Sequence, residues 1–201
     1  GSEMCIRDSF NSDRMNKDAV NYWLKTVPKM INKNFLFHND DNNKIVSTNI
    51  EPIFIFGIPR SGTTLVETII TSGKEKIYNA GENLILQKTL HKSQLNKKIY
   101  ESEDRITIDT SFLRKDIIES YKKKLFIQSD KFKFIDRTMT NFFFAEILLE
   151  IFPNAKIINC KRDSFHNLVA IYQQCLNNLP WSHKVKDIKK YISIYNHKLN
   201  N

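Results

Sequence analysis

The chain has 201 residues, of which 41% are hydrophobic, 26% charged and 11% aromatic: enough apolar material for one globular domain with a full core, and too much for a disordered chain. The formal charge of +9 suits anionic ligands; equally, the lysines are scattered through the chain and form no basic stripe, so no nucleic-acid partner is expected. No apolar run approaches the roughly 18 residues of a membrane span, and Cys5, Cys160 and Cys175 show neither metal-ligand nor paired spacing, which points to a reducing, cytoplasmic setting without a membrane partner.

The first residues, Gly1 to Ser9, fit nothing that follows. Gly1-Ser2 reads as a cloning scar and Met4 to Ser9 as translated adapter sequence, so residues 1–10 are set aside as a non-native leader, and residues 11–201 are read as a single domain. Residues 18–31 carry apolar side chains at helical spacing (Val20, Trp23, Leu24, Val27), with Pro28 as a break or kink. Residues 38–49 are rich in Asn and Asp and read as a surface loop. Residues 52–57 form a short continuous apolar run, the pattern of a strand buried on both faces. Helical spacing then resumes over 61–72 (Leu65, Ile69, Ile70) and ends at Gly73. A short strand is expected at 76–79, a helix over 83–95, polar loop over 96–110, and an amphipathic helix over 112–126. Residues 132–136 and 156–160 read as strands, with helices over 141–152, 164–177 and 185–199. Strands alternating with helices predict an α/β fold with a central parallel sheet flanked by helices in three layers. The last helical pattern stops without a cap, so a fragment truncated at its C-terminus is expected.

Chemistry concentrates where the first strand runs into Gly57-Ile-Pro-Arg-Ser-Gly-Thr-Thr64 and opens a helix. A strand, a glycine turn and a helix N-terminus aim backbone N–H groups and the helix dipole at an anion. The spacing from Gly57 to Gly62 is that of a P-loop, but Thr63 stands where the loop lysine would be. That lysine serves β- and γ-phosphates; here the cation has moved to Arg60, whose fork suits a terminal sulfonate. Ser61, Thr63 and Thr64 add hydroxyl donors around Gly62, although Ser61 could equally be only an N-cap.

The segment Pro52 to Glu67 resembles the 5′-phosphosulfate loop of the sulfotransferase family, most closely the branch that includes tyrosylprotein sulfotransferases and bacterial relatives with tetratricopeptide repeats. Asn79-Ala-Gly-Glu82 resembles the family's Gly-Glu turn. Phe134-Ile-Asp-Arg137 with Asn141 and Phe152 to Lys156 is similar to its next block, and Ile157 to Asp163 to its 3′-phosphate strand and turn. The resemblance covers residues 50–200. It implies a P-loop-type α/β enzyme that moves a sulfuryl group from 3′-phosphoadenosine 5′-phosphosulfate (PAPS) to an acceptor hydroxyl on a peptide, carbohydrate or small molecule, without a metal. It implies Glu82 as the base, Arg60 and Arg137 as charge stabilisers, Arg60, Ser61, Gly62, Thr63 and Thr64 around the phosphosulfate, and Arg162 on the 3′-phosphate. The family usually has Lys at Arg137, and a Ser, sharing the 3′-phosphate, at Ala170.

Several residues admit two readings. Arg137 is a site residue or a surface ion pair, and Asp136, at the end of an apolar strand, resembles the Mg²⁺ ligand of P-loop kinases. An ATP-dependent kinase and a non-catalytic binding domain therefore stand as alternatives. His91 on its helix suits surface or core as well as catalysis, and His166 could touch a nucleotide. Trp181 and Phe165 suit core packing or adenine stacking, and Phe142 to Phe144 suit core.

Overall fold

The computed structural model describes residues 14–32, 34–38, 49–95, 98, 105–174, 176 and 178–200. In chain order they form α1 (Arg14–Asn21), continued by a π turn (Tyr22–Thr26) and a 3-10 turn (Val27–Asn32) that contains Pro28, then β1 (Asn34–His38), β2 (Ile50–Phe56), α2 (Thr63–Thr71), β3 (Tyr78–Gly81), α3 (Ile85–Lys92), β4 (Arg105–Asp109), α4 (Thr110–Leu125) and β5 (Phe132–Asp136). A 3-10 turn (Met139–Phe144) runs into α5 (Ala145–Ile151), followed by β6 (Lys156–Asn159), α6 (Ser164–Gln174), a 3-10 turn (Pro180–His183) and α7 (Val185–Asn200). The chain divides into two compact units: one draws on residues up to Asn32, Ile58–Ser61 and those from Lys161 onward, the other on Lys33–Gly57 and Gly62–Cys160.

The second unit is the α/β part, with parallel sheets flanked by helices. Its main sheet is parallel, in the order β3-β5-β2-β6. β2 lies in the middle and buries almost every side chain, which is why it reads as an unbroken apolar run. Pro52 is accommodated because β6 pairs with β2 only from Ile53 onward, so at Pro52 the strand has a partner on one side alone. One face of the sheet packs Phe54 and Phe134 against Tyr121 of α4 and Phe152 after α5, with ring centroids 4.2–6.3 Å apart. The other face packs Ile55, Ile135 and Cys160 against Val66 and Ile70 of α2. Burial pushes the Cys160 thiol up, which leaves it a small core hydrophobe with little thiolate. Cys5 and Cys175 lie outside the described residues.

Phe134 touches every member of the aromatic face and is fully buried. Phe134→Ala is expected to destabilise the protein by about 3–5 kcal/mol, read from the shift in urea or thermal unfolding midpoint.

Two strands depart from the sequence expectation. β4 occupies the end of a segment read as polar loop, and it pairs in parallel with β1, which the sequence reading left unassigned. Both strands alternate: Ile106 and Ile108 point inward while Thr107 and Asp109 are exposed, and Phe35 and Phe37 are more covered than Leu36 and His38. The period of two was present, but charged and polar neighbours hid it. The loop expected over 38–49 lies almost wholly outside the described residues.

The first unit is helical. Its core is Trp181, fully buried and stacked on Tyr191 of α7 at 3.8 Å and 5°, with Trp23 edge-on to the same tyrosine at 6.5 Å. Trp181 is thus core here. Among the described residues no helix is long and apolar enough to cross a membrane.

Candidate active site

In the α/β unit, Gly62 ends the turn after β2 and stands at the N-cap of α2 with φ 99°, a backbone region that strains any residue with a Cβ. Val66 N–H donates to Gly62 O at 3.1 Å, the first bond of the helix. Thr63 is half-buried and Thr64 exposed. α2 turns an unexpected face inward. Leu65 and Ile69 are 64% and 61% exposed, whereas Val66, Ile70 and the carboxylate of Glu67 are covered.

The turn after β3 is fastened to the end of β5 by a dense set of hydrogen bonds. β3 runs two residues further than the sequence suggested, through a bulge between Asn79 and Gly81. Gly81 takes φ 58° and donates its N–H to Asn79 Oδ1 at 2.7 Å. Arg137 N–H donates to Gly81 O at 3.1 Å, and Asn83 N–H to Thr138 Oγ1 at 2.9 Å. Buried Asp136 is the hub. It accepts from Tyr121 OH at 2.5 Å, Asn83 Nδ2 at 2.8 Å and Thr138 N–H at 2.7 Å. Burial, and then the Asp136 charge, raise the Tyr121 hydroxyl well above its usual value, so it remains a donor. These bonds occupy Asp136 in holding the turn, a role that the sequence pattern could not distinguish from that of a metal ligand.

The turn presents Glu82, whose side chain is 66% exposed. Arg137 Nη1 donates to Glu82 Oε1, while Arg137 Nε donates to Glu67 Oε2 at 2.7 Å. Arg137 is therefore both a member of a cluster with Glu82 and the partner of two carboxylates. The sequence reading gave Glu67 no role; its one signal was an acid within an otherwise apolar helical stretch.

In the helical unit, Ser61 N–H donates to Ile58 O at 3.1 Å and closes a turn in which Arg60 has φ 68°. Arg162 Nη1 donates to Arg60 O at 3.1 Å. Both arginine side chains are exposed, and neither forms an ion pair among the described residues. Ser61 Oγ is buried without a hydrogen-bond partner among the described residues. Asn167 of α6, also missed by the sequence reading, is fully buried and donates Nδ2–H to Pro59 O at 2.6 Å, tying the helix to the turn. Asp163 caps α6 by accepting from His166 N–H at 3.0 Å and also meets His166 Nδ1 at 2.9 Å. These bonds hold the Asp163 carboxyl below its usual range, the backbone N–H contributing most.

The remaining candidates are placed as follows. His91 is exposed on α3, and Phe165 is exposed on α6. Phe142 to Phe144 are buried, and Ala170 is half-buried on α6. Among the described residues no three His, Cys, Asp or Glu side chains are grouped to hold a metal ion.

The sulfotransferase-family model matches residues 52–201, three quarters of the chain and every residue described above from Pro52 of β2 onward. The chain is also 33% identical to an uncharacterized protein of Aquifex aeolicus (strain VF5) over 129 residues, a match that takes in 61% of this chain but 17% of that protein's length. With a parallel α/β sheet, a glycine-capped helix after its central strand and a family match over most of its length, the chain belongs to the sulfotransferase family.

Proposed function

We propose that the chain carries the cofactor-binding core of a PAPS-dependent sulfotransferase, of the tyrosylprotein sulfotransferase-like branch, which moves a sulfuryl group by in-line transfer to the hydroxyl of a peptide, carbohydrate or small molecule. The observation that carries this reading is the pair Arg60 and Arg162. Two exposed guanidinium groups, one bonded to the other's carbonyl, stand without a carboxylate partner among the described residues. Exposed cations with no carboxylate partner leave their charge available to an anionic ligand.

The residues present fit a sulfated, twice-phosphorylated nucleotide. Ser61 Oγ is buried and lacks an acceptor or donor among the described residues. A Cβ built at Gly62 would meet nothing within 4 Å, leaving open space over the first turn of α2. Arg60, Ser61, Gly62, Thr63 and Thr64 would hold the phosphosulfate, and Arg162 the 3′-phosphate. PAPS supplies the sulfuryl group and leaves as 3′-phosphoadenosine 5′-phosphate. Arg60 offers positive charge to the sulfonate oxygens, and Arg137 orients Glu82. Glu82 takes the acceptor's hydroxyl proton on Oε2, to which nothing donates among the described residues.

Ligand choice tests the reading. Calorimetry is expected to show 3′-phosphoadenosine 5′-phosphate binding more tightly than ATP, with no dependence on Mg²⁺. Tighter, Mg²⁺-dependent ATP binding would replace the sulfotransferase reading with a kinase. Binding without turnover on any hydroxyl acceptor would leave a binding domain.

A further inference from the structure

We infer that Glu67 is a positioning residue of the proposed transfer: its buried carboxylate holds one edge of Arg137 so that another edge of the same guanidinium fixes Glu82. The inference rests on the reading of Glu82 as the base. Glu82 is a largely solvated side chain on a turn, and left to itself it would sample several rotamers. Among the described residues its one side-chain partner is Arg137 Nη1. What orients Arg137 is therefore what orients the base.

Glu67 is built for that task. It is 6% exposed on α2, and its Oε2 accepts from Arg137 Nε at 2.7 Å. Its Oε1 is buried with no partner among the described residues. A carboxylate stripped of water must be offset by a fixed cation, and among the described residues Arg137 is the one that reaches it. The arginine is anchored from the backbone as well, through its N–H on Gly81 O. A planar guanidinium serves two carboxylates from different edges in fixed directions; a lysine ammonium is one rotatable point charge, which can attract both without fixing their directions. The chain of constraint runs from the packed helix α2, through Glu67 and Arg137, to Glu82.

The test uses the whole 201-residue chain, ¹⁵N-labelled, with Glu67→Leu, Glu67→Gln and Arg137→Lys. The Arg137 Nε–H signal is expected to exchange slowly in the parent, to be lost in Glu67→Leu, and to persist in Glu67→Gln, whose amide oxygen still accepts. In release of 3′-phosphoadenosine 5′-phosphate from PAPS over a panel of phenols, alcohols and tyrosine peptides, Glu67→Leu is expected to lower kcat by about 10–100-fold, as misplacing a reacting group does. KM for PAPS should stay within about twofold, because Glu67 holds the base and not the cofactor. Glu67→Gln should remain within a few-fold of the parent. Arg137→Lys should lose as much as Glu67→Leu, with the double variant little worse than either, since both break one chain of contacts. Should Glu67→Leu fail to fold, Arg137→Lys and Glu67→Gln carry the comparison. Parent-like kcat in Glu67→Leu or Arg137→Lys overturns the inference and leaves the sulfotransferase reading standing. A parent chain that neither binds 3′-phosphoadenosine 5′-phosphate nor turns over sinks both.

Discussion

Arg60→Ala is expected to lower kcat/KM by at least about 10²-fold and to weaken binding of 3′-phosphoadenosine 5′-phosphate in the same protein. Arg60 lies in a left-handed backbone conformation, φ 68°, which costs a side chain with a Cβ about 1–2 kcal/mol relative to ordinary backbone. Glycine would adopt that conformation freely. An exposed arginine held there, with its carbonyl fastened by Arg162 and the neighbouring Pro59 carbonyl by Asn167, puts strain at a site where stability alone would favour glycine. The loss should appear in both binding and rate because the proposed contact exists before and during transfer. Arg60→Gly separates the two effects. It should raise the unfolding midpoint slightly while losing function as Arg60→Ala does. Calorimetry, a thermal melt and steady-state kinetics on the three proteins make the comparison. Parent-like affinity and turnover in Arg60→Ala would remove Arg60 from the site.

Glu82→Gln is expected to lower turnover by about 10²-fold or more, the scale of a lost general base, with cofactor affinity nearly unchanged. The substitution keeps the shape of the side chain and an acceptor for Arg137 Nη1, so the turn held by Asp136, Asn83 and Thr138 should persist. What disappears is the capacity to take a proton. A hydroxyl is a poor nucleophile until its proton leaves, and a carboxylate assists only within about 2.6–3.2 Å or through one water. With Oε1 committed to Arg137, Oε2 is the atom left for that work. The two variants thus have opposite signatures: Arg60→Ala moves affinity and rate together, Glu82→Gln moves rate alone. If Glu82→Gln turns over at the parent rate with a hydroxyl acceptor, Glu82 is only a turn residue, and His91, exposed on α3, is the next base to test.

Periodicity and turn chemistry by themselves determined that this is a parallel α/β protein with a glycine turn and a helix after its central strand. A buried parallel strand must be apolar on both faces, and a glycine at φ 99° must stand where the helix begins, so β2 and Gly62 announce themselves locally. Arg60 and Arg137 stood out as candidates for a similar reason, each following the carboxyl end of an apolar strand, whereas Glu82 and Arg162 stood out through the resemblance to the family. Their partners were not legible, because a partner is a long-range contact. Only the tertiary structure decided that Asp136 is a hydrogen-bond hub, since its donors come from Tyr121, 15 positions away, and Asn83, 53 away. It likewise decided that Glu67 faces inward while Leu65 and Ile69 face out. An apolar helix pattern states that a face will be covered; the strand or side chain packed against it determines which face, and here a cation 70 positions along the chain made the buried position one for a carboxylate.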